Sequence, residues 1–304
     1  MPGSLRPVLV TMNYDTHCRS AMEKQTLNFY NASIATSIDV PITFTLDGSI
    51  LDFPNENDRG KETHICTVHN ARETVKAPTL AYEGFQLFNH DIKFDDVSDD
   101  AQLESNVDLL QRFIQKQTGA TSALFLGHVV RQENFDRHKP STFVHADWSG
   151  ERVQKLGVED DPLILTNRDI NSERVRHLIE EKDHWSLFNI WIPLKTVVNR
   201  PLALCDVHSV EHDDVIHNLR FKDPDSDRKA AKGNILSLKF RDHYRWFYYP
   251  LMQSNELLIF KQFDSVEGAA SFIPVFHTAF KVVDDNDQRF PMRESIELRF
   301  LAAK

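Results

Sequence analysis

Apolar residues recur along the chain in two rhythms. In "DDAQLESNVDLLQRFIQKQTG", residues 99–119, Leu103, Val107, Leu110, Phe113 and Ile114 fall at helical spacing behind an acidic opening, and Gly119 stops the run. A second helix is predicted for "NSERVRHLIEEKD", residues 171–183, with Asn171 as N-cap and Val175, Leu178 and Ile179 on one face. Elsewhere the rhythm is that of strands. Between residues 29 and 97, "VPITFTL", "ETHICTV" and "GFQLFNHDIKF" alternate with turn pairs such as Asp47-Gly48 and Pro54-Asn55. From residue 186 onward come "LFNIWIPL", "PLALCDVHSV", "ILSLKF", "RWFYYPLM", "ELLIFKQF", "ASFIPVFHTAF" and "RESIELRFLA", with scarcely room for helices between them. Such a succession predicts antiparallel strands in a sandwich or barrel, with the helices packed outside. The expected organisation is one domain over 1–304: a β-rich flank over 1–98, then helices and barrel over 99–304. The charged stretch 210–233 is expected to be a loop or lid.

Composition narrows the function. A net charge of −10 with no clustered Lys or Arg argues against nucleic acid and against anionic lipid as partners. Three scattered cysteines, Cys18, Cys66 and Cys205, make neither a disulfide framework nor a zinc site. No run approaches the length of a membrane span, and the N-terminus lacks a signal-like apolar core, so a cytoplasmic chain is expected. Motifs for serine hydrolysis, phosphate cradling and zinc proteolysis are missing from the sequence. Whether the chain forms a homodimer is left open.

The chemistry concentrates in "TFVHADWSG", residues 142–150. Side chains at i and i+2 of a strand share a face, so His145 and Asp147 can aim an imidazole nitrogen and a carboxylate oxygen at one point. A second His-x-Asp, His212 and Asp214, lies in the acidic stretch, where side-chain directions are not fixed. Two histidines and a carboxylate are the ligand set of non-haem Fe(II) oxygenases. His277, on an apolar strand, is a candidate for the third ligand, and His208 is its rival. Arg293 and Ser295, again at i and i+2, offer a planar fork and a hydroxyl suited to a carboxylate.

The order His-x-Asp, acidic-apolar strand, His, Arg-x-Ser resembles the double-stranded β-helix (jelly-roll, cupin-like) of Fe(II)/2-oxoglutarate-dependent oxygenases. More specifically, "FVHADWSGERV", "NIWIPL", "PLALCDVHSV", "RWFYYPLM", "ELLIFKQFDS", "FHTAF" and "RESIELR" are similar to blocks of a fungal hydroxylase/desaturase family of secondary metabolism. That family includes a cephem methoxylation component and a meroterpenoid endoperoxide-forming oxygenase. The resemblance covers residues 80 to 300 and departs from the family pattern at Ile192, His208 and Tyr244. It implies Fe(II) at His145, Asp147 and His277, 2-oxoglutarate at Arg293 and Ser295, and O2 as the third reactant. It further implies attack on an unactivated C–H of a small apolar metabolite, terpenoid or meroterpenoid, by hydroxylation, desaturation or endoperoxide formation. Phe143, Trp148, Trp191, His208 and Trp246 are the expected substrate-side residues. Two other readings share this fold: a cupin-type metalloenzyme that does not use 2-oxoglutarate, and a catalytically silent binding protein. Arg293 separates them, because only 2-oxoglutarate needs that cation inside the barrel; Arg245 and Arg299 are its alternates.

Overall fold

The computed structural model describes residues 37–45, 61–133, 139–156, 172–219, 234–268, 271–282 and 291–304. Two five-stranded sheets form the body. One runs β1 (Ser37–Thr45), β2 (Lys61–Asn70), β9 (Trp246–Tyr248), β6 (Leu202–Cys205), β11 (His277–Ala279). The other runs β3 (Phe85–Asn89), β10 (Glu256–Asp264), β5 (Trp185–Pro193), β12 (Glu294–Ala303), β4 (Ser122–Gln132). A hairpin of β7 (Val215–Leu219) and β8 (Asn234–Leu238) stands apart. The named strand pairs are antiparallel except β2 with β9. This is the expected jelly-roll core.

Strand parity decides what each sheet shows to the interior. On β5 and β12, Ile190, Ile192, Ile296, Leu298 and Phe300 point outward and pack with Val107, Leu110 and Ile114 of helix α1 (Asp100–Thr118). Each such side chain contributes about 1.5–3 kcal/mol when fully buried. Helix α1 is capped by Asp99, whose carboxylate accepts from the amides of Ala101 and Gln102, and it ends at Gly119 with φ +71°. Helix α2 (Ser172–Glu181) adds Val175 to the same outer core; its expected cap, Asn171, lies outside the described residues. The first sheet has its own outer core, in which Ile42, Phe44, Val144 and Ala146 meet Leu236 and Leu238 of the hairpin. Between the sheets, Phe85, Trp191, Leu258 and Phe260 of one meet Leu202 and Leu204 of the other.

The structure adds to the expected organisation. Of the N-terminal β-rich flank, β1 and β2 belong to the first sheet and β3 to the second. The stretch 210–233 is not a loop throughout, because a 3-10 turn at His212–Asp214 leads into β7, where Asn218 donates to the Ser237 hydroxyl of β8. Residues 220–233, like the turns at Asp47-Gly48 and Pro54-Asn55, lie outside the described residues. Finally, the sequence reading places no strand between α1 and residue 142, whereas "SALFLGHVVRQ" forms the long strand β4 beside β12. Its burial shows no clean two-residue alternation, so it lacks the usual signature of a half-buried strand.

Candidate active site

The segment 143–147 is pinned from both sides. The amide of Val144 donates to the Thr43 carbonyl, at 2.8 Å, and Ala146 exchanges two backbone bonds with Leu236. On the other side His145 and His277 form a hydrogen-bonded antiparallel pair, amide to carbonyl at 3.1 and 2.9 Å. Residues directly opposite in such a pair share a face, and the two imidazole rings lie 4.4 Å apart. With Val144 and Ala146 buried in the outer core, parity turns Asp147 inward beside them.

His145 Nδ1 lies 2.9 Å from the Phe143 carbonyl and His277 Nδ1 lies 3.2 Å from that of Val275. A carbonyl only accepts, so each Nδ1 carries the proton and each Nε2 presents a lone pair. His145 Nε2 is 3.8 Å from Asp147 Oδ1. One ligand atom from each of His145, Asp147 and His277 can be chosen so that all lie within 4.8 Å of one another; among the described residues this is the one such cluster. Two imidazoles and a carboxylate converging at that spacing fit Fe(II).

Asp147 is held by its other oxygen. Oδ2 accepts from Asn189 Nδ2 at 2.8 Å and from Nε of Arg299 at 3.1 Å, which leaves Oδ1 toward the histidines. Arg299 Nη2 also bonds Glu297 Oε1, at 3.0 Å. The Asp147 amide donates to Gln262 Oε1, and Arg152 Nη1 donates to the Asp147 carbonyl. Burial works to raise the Asp147 carboxyl, but Arg299, the two histidines and Asn189 outweigh it and hold it well below the ordinary carboxylate range. Glu297 moves the other way, raised by burial and by the Asp147 charge. Burial, reinforced by His277, pushes His145 down to about 3, so its imidazole is neutral at working pH, as a metal ligand must be.

One consequence concerns stability. Burial also lowers His90 and His128. Three histidines therefore resist protonation when folded but accept protons when unfolded, so the unfolded chain binds more protons as pH falls below about 6.5. Metal-free protein is expected to lose thermal stability steadily from pH 7 to pH 5, before ordinary carboxylates titrate. Melting curves across that window check it; a melting temperature flat down to pH 5 would count against the buried neutral histidines.

Arg293 and Ser295 are buried on the inner face of β12, and Arg293 Nε donates to Ser295 Oγ at 3.2 Å. Nη1 of Arg293 donates to the Arg200 carbonyl at 2.7 Å, and the guanidinium lies 5.0 Å from the Trp191 ring centre. Burial, then the charge of Arg131, pushes Arg293 down to about 9, which leaves it cationic at neutral pH.

Of the expected substrate-side residues, Phe143 stands beside the ligand set, its ring 4.9 Å from that of His145, and Trp191 lies between the sheets. The others do not. Trp148 points the opposite way from Asp147 into the outer core, with Arg152 4.0 Å above its ring. Trp246 is buried in the outer core of the first sheet, near Phe44. His208 is half-exposed, stacked on Tyr82 and bonded to Asp206, and is not in the ligand cluster. His212 and Asp214 fall in a turn where Asp214 pairs with Arg241, and Arg245 pairs with Asp206. Ile192 belongs to the outer core, so it does not face the ligands. Phe260, not singled out from sequence, lies 4.9 Å from the His277 ring. Sequence reasoning also missed Asn189, Gln262 and Glu297.

The chain is similar to known proteins over most of its length. A family described as "Oxidoreductase/YMDC permease-like domain" matches residues 27–303. The alpha-ketoglutarate-dependent dioxygenase tstK of Talaromyces stipitatus is 26% identical over 256 residues, 79% of this chain and 86% of that protein. The hydroxylase/desaturase CTB9 of Cercospora beticola is 26% identical over 251 residues, 75% and 73% of the two chains. Among solved structures, the iron and alpha-ketoglutarate-dependent endoperoxidase NvfI superposes with a TM-score of 0.69 at 21% identity, over 88% of this chain and 98% of its own.

Proposed function

The chain belongs to the oxidoreductase/YMDC permease-like domain family and is an Fe(II)/2-oxoglutarate-dependent dioxygenase; from that premise we propose that His145, Asp147 and His277 hold the iron and that Arg293 with Ser295 holds the far carboxylate of 2-oxoglutarate. The observation that carries this assignment is the convergence of two Nε2 lone pairs and one carboxylate oxygen on the inner face, with a buried guanidinium on the same wall.

When bound, the iron with 2-oxoglutarate and O2 supplies the oxidising power, and 2-oxoglutarate leaves as succinate and CO2. The protein's part is geometry. Backbone carbonyls of Phe143 and Val275 fix the histidine tautomers, and Arg299 with Asn189 fixes which Asp147 oxygen faces inward. Arg293, stacked on Trp191 and tied to the Arg200 carbonyl, is preorganised, so little side-chain freedom is lost when a carboxylate arrives. The rings of Phe143 and Phe260 flank the histidines and favour an apolar substrate, and the family resemblance adds that it is of terpenoid or meroterpenoid kind. Hydroxylation, desaturation and the endoperoxide formation named for NvfI are three outcomes that can follow one hydrogen abstraction from a substrate carbon.

Arg293→Ala tests the co-substrate assignment. Losing a buried, hydrogen-bonded charge partner costs a ligand carboxylate about 2–5 kcal/mol, so the 2-oxoglutarate requirement is expected to rise about 30-fold or more. Iron binding should persist in the variant. An unchanged requirement would move the co-substrate elsewhere.

A further inference from the structure

The backbone ladder between the two ligand segments breaks off after a single rung. His145 and His277 exchange both of their backbone hydrogen bonds, the hydrogen-bonded pair of an antiparallel ladder. Such pairs recur at every second residue, so the next would join Asp147, two residues on from His145, to Val275, two residues before His277. That rung is not made directly. The side-chain amide of Gln262 stands in it: Oε1 accepts from the Asp147 amide at 2.9 Å, and Nε2 donates to the Val275 carbonyl at 2.9 Å. A peptide N–H only donates and a carbonyl only accepts, so the partners fix which way the Gln262 amide is turned.

The strand that carries Gln262 departs from regular pairing at this residue. In β10, Lys261 pairs with Phe188 and Phe263 with Leu187, the adjacent residue of β5, so Gln262 is the extra residue of a β-bulge. It has no cross-strand partner on β5, and its buried side chain serves the ligand segments instead. Val275, in turn, is a firm anchor. Its amide donates to the Lys261 carbonyl at 3.1 Å, and Gly84 packs so closely that a Cβ there would lie 2.7 Å from Val275 Cγ2. The same Val275 carbonyl accepts from His277 Nδ1 at 3.2 Å. Gln262 thus closes a ring of hydrogen bonds that runs from Asp147 through His145 and His277 to Val275.

We infer that Gln262 is a positioning residue for the metal site, a spacer that holds the Asp147 and Val275 backbones one side-chain amide apart so that the Asp147 carboxylate meets both histidines. Without the spacer, the direct rung is the nearest way to satisfy the Asp147 N–H and the Val275 carbonyl, and forming it draws the carboxylate away from the two Nε2 atoms. The inference rests on the ligand assignment proposed above and adds to it a residue that touches no metal.

The test compares wild-type protein with Gln262→Met, which keeps the volume and loses both bonds, and with Leu110→Ala, a large-to-small change in the outer core. Three quantities are measured: melting of the metal-free protein, Fe(II) affinity by anaerobic competition with a chelator, and the visible absorption bands of the Co(II)-loaded protein. The Co(II) bands respond to the arrangement of ligands around the ion, so a purely structural loss does not move them. Gln262→Met is expected to bind Fe(II) about 10–100-fold more weakly, the usual cost of removing a group that orients a metal ligand, and to shift the Co(II) bands. Leu110→Ala is expected to melt lower and to keep wild-type affinity and bands. Wild-type affinity or unchanged bands in Gln262→Met overturns the spacer and leaves the ligand assignment standing. An equal loss of affinity in Leu110→Ala makes the effect one of stability and overturns the spacer as well. Failure of wild-type protein to bind Fe(II) overturns the ligand assignment and this inference together. If Gln262→Met does not fold, Gln262→Asn is read instead: it keeps the amide but falls one methylene short of spanning the rung, so the same loss is expected, and wild-type affinity overturns the proposal.

Discussion

Asp147→Ala is expected to abolish iron binding and turnover together. The substitution removes the carboxylate from a three-ligand set, and changing only the partners of a metal ligand already costs about 10–100-fold in affinity; loss of the ligand itself should exceed that. The fold should survive, because Arg299 keeps Glu297 as its counter-charge and, among the described residues, Asn189 is the only other side chain on the lost oxygen. The stability cost of the stranded donors is about 1–3 kcal/mol. Iron stoichiometry after anaerobic loading, succinate formed on adding O2, and a melting curve measure the three quantities separately. Full iron content with normal succinate production would remove Asp147 from the site, whatever the melting temperature did.

The same parity rule that made His145 and Asp147 legible in the sequence also accounts for most of what was misread. His145 to Asp147 is an even step along an extended segment, so the two share a face. Asp147 to Trp148 is an odd step, which sends the indole into the outer core despite its adjacency to a ligand. Trp246 fails for a related reason: it pairs with Cys205, whose side chain belongs to the outer core of the first sheet. Nearness in sequence to a ligand strand is therefore a poor guide to lining the site, and step parity is a good one. Applied further, it reaches residues that motif order does not. Glu297 and Arg299 continue the even steps from Arg293 and Ser295, and Asn189 is the polar member of an otherwise apolar "LFNIWIPL", an even step from Trp191. His277 became adjacent to His145 only through a cross-strand pairing of segments far apart in the chain, and local pattern carries no information on which strands become neighbours.

Arg299 is where stability and chemistry meet, and Arg299→Met is expected to damage both. Arg299 is the cation between Asp147 and Glu297, both buried: Nε donates to Asp147 Oδ2, and Nη2 lies 3.1 Å from that oxygen and 3.0 Å from Glu297 Oε1. Removing one partner of a buried ionic group costs about 3–5 kcal/mol, because the remaining charges are left uncompensated. For a chain of this size that corresponds to a fall of about 5–8 °C in melting temperature. A similar volume of apolar side chain does not help while both carboxylates remain. The metal site should suffer as well, since among the described residues Asp147 Oδ2 retains only Asn189 and the carboxylate can rotate out of register with the histidines; a loss of about 10–100-fold in Fe(II) affinity follows. Arg299→Lys separates the two effects: it returns a charge to the interior but cannot offer two donors in a fixed plane, so it should recover more stability than metal affinity. If Lys restores both equally, the interior needs only a positive charge at this position. If Met leaves both unchanged, the Asp147 carboxylate is positioned by Asn189 and the strand itself, and the inner face of β12 serves the co-substrate alone.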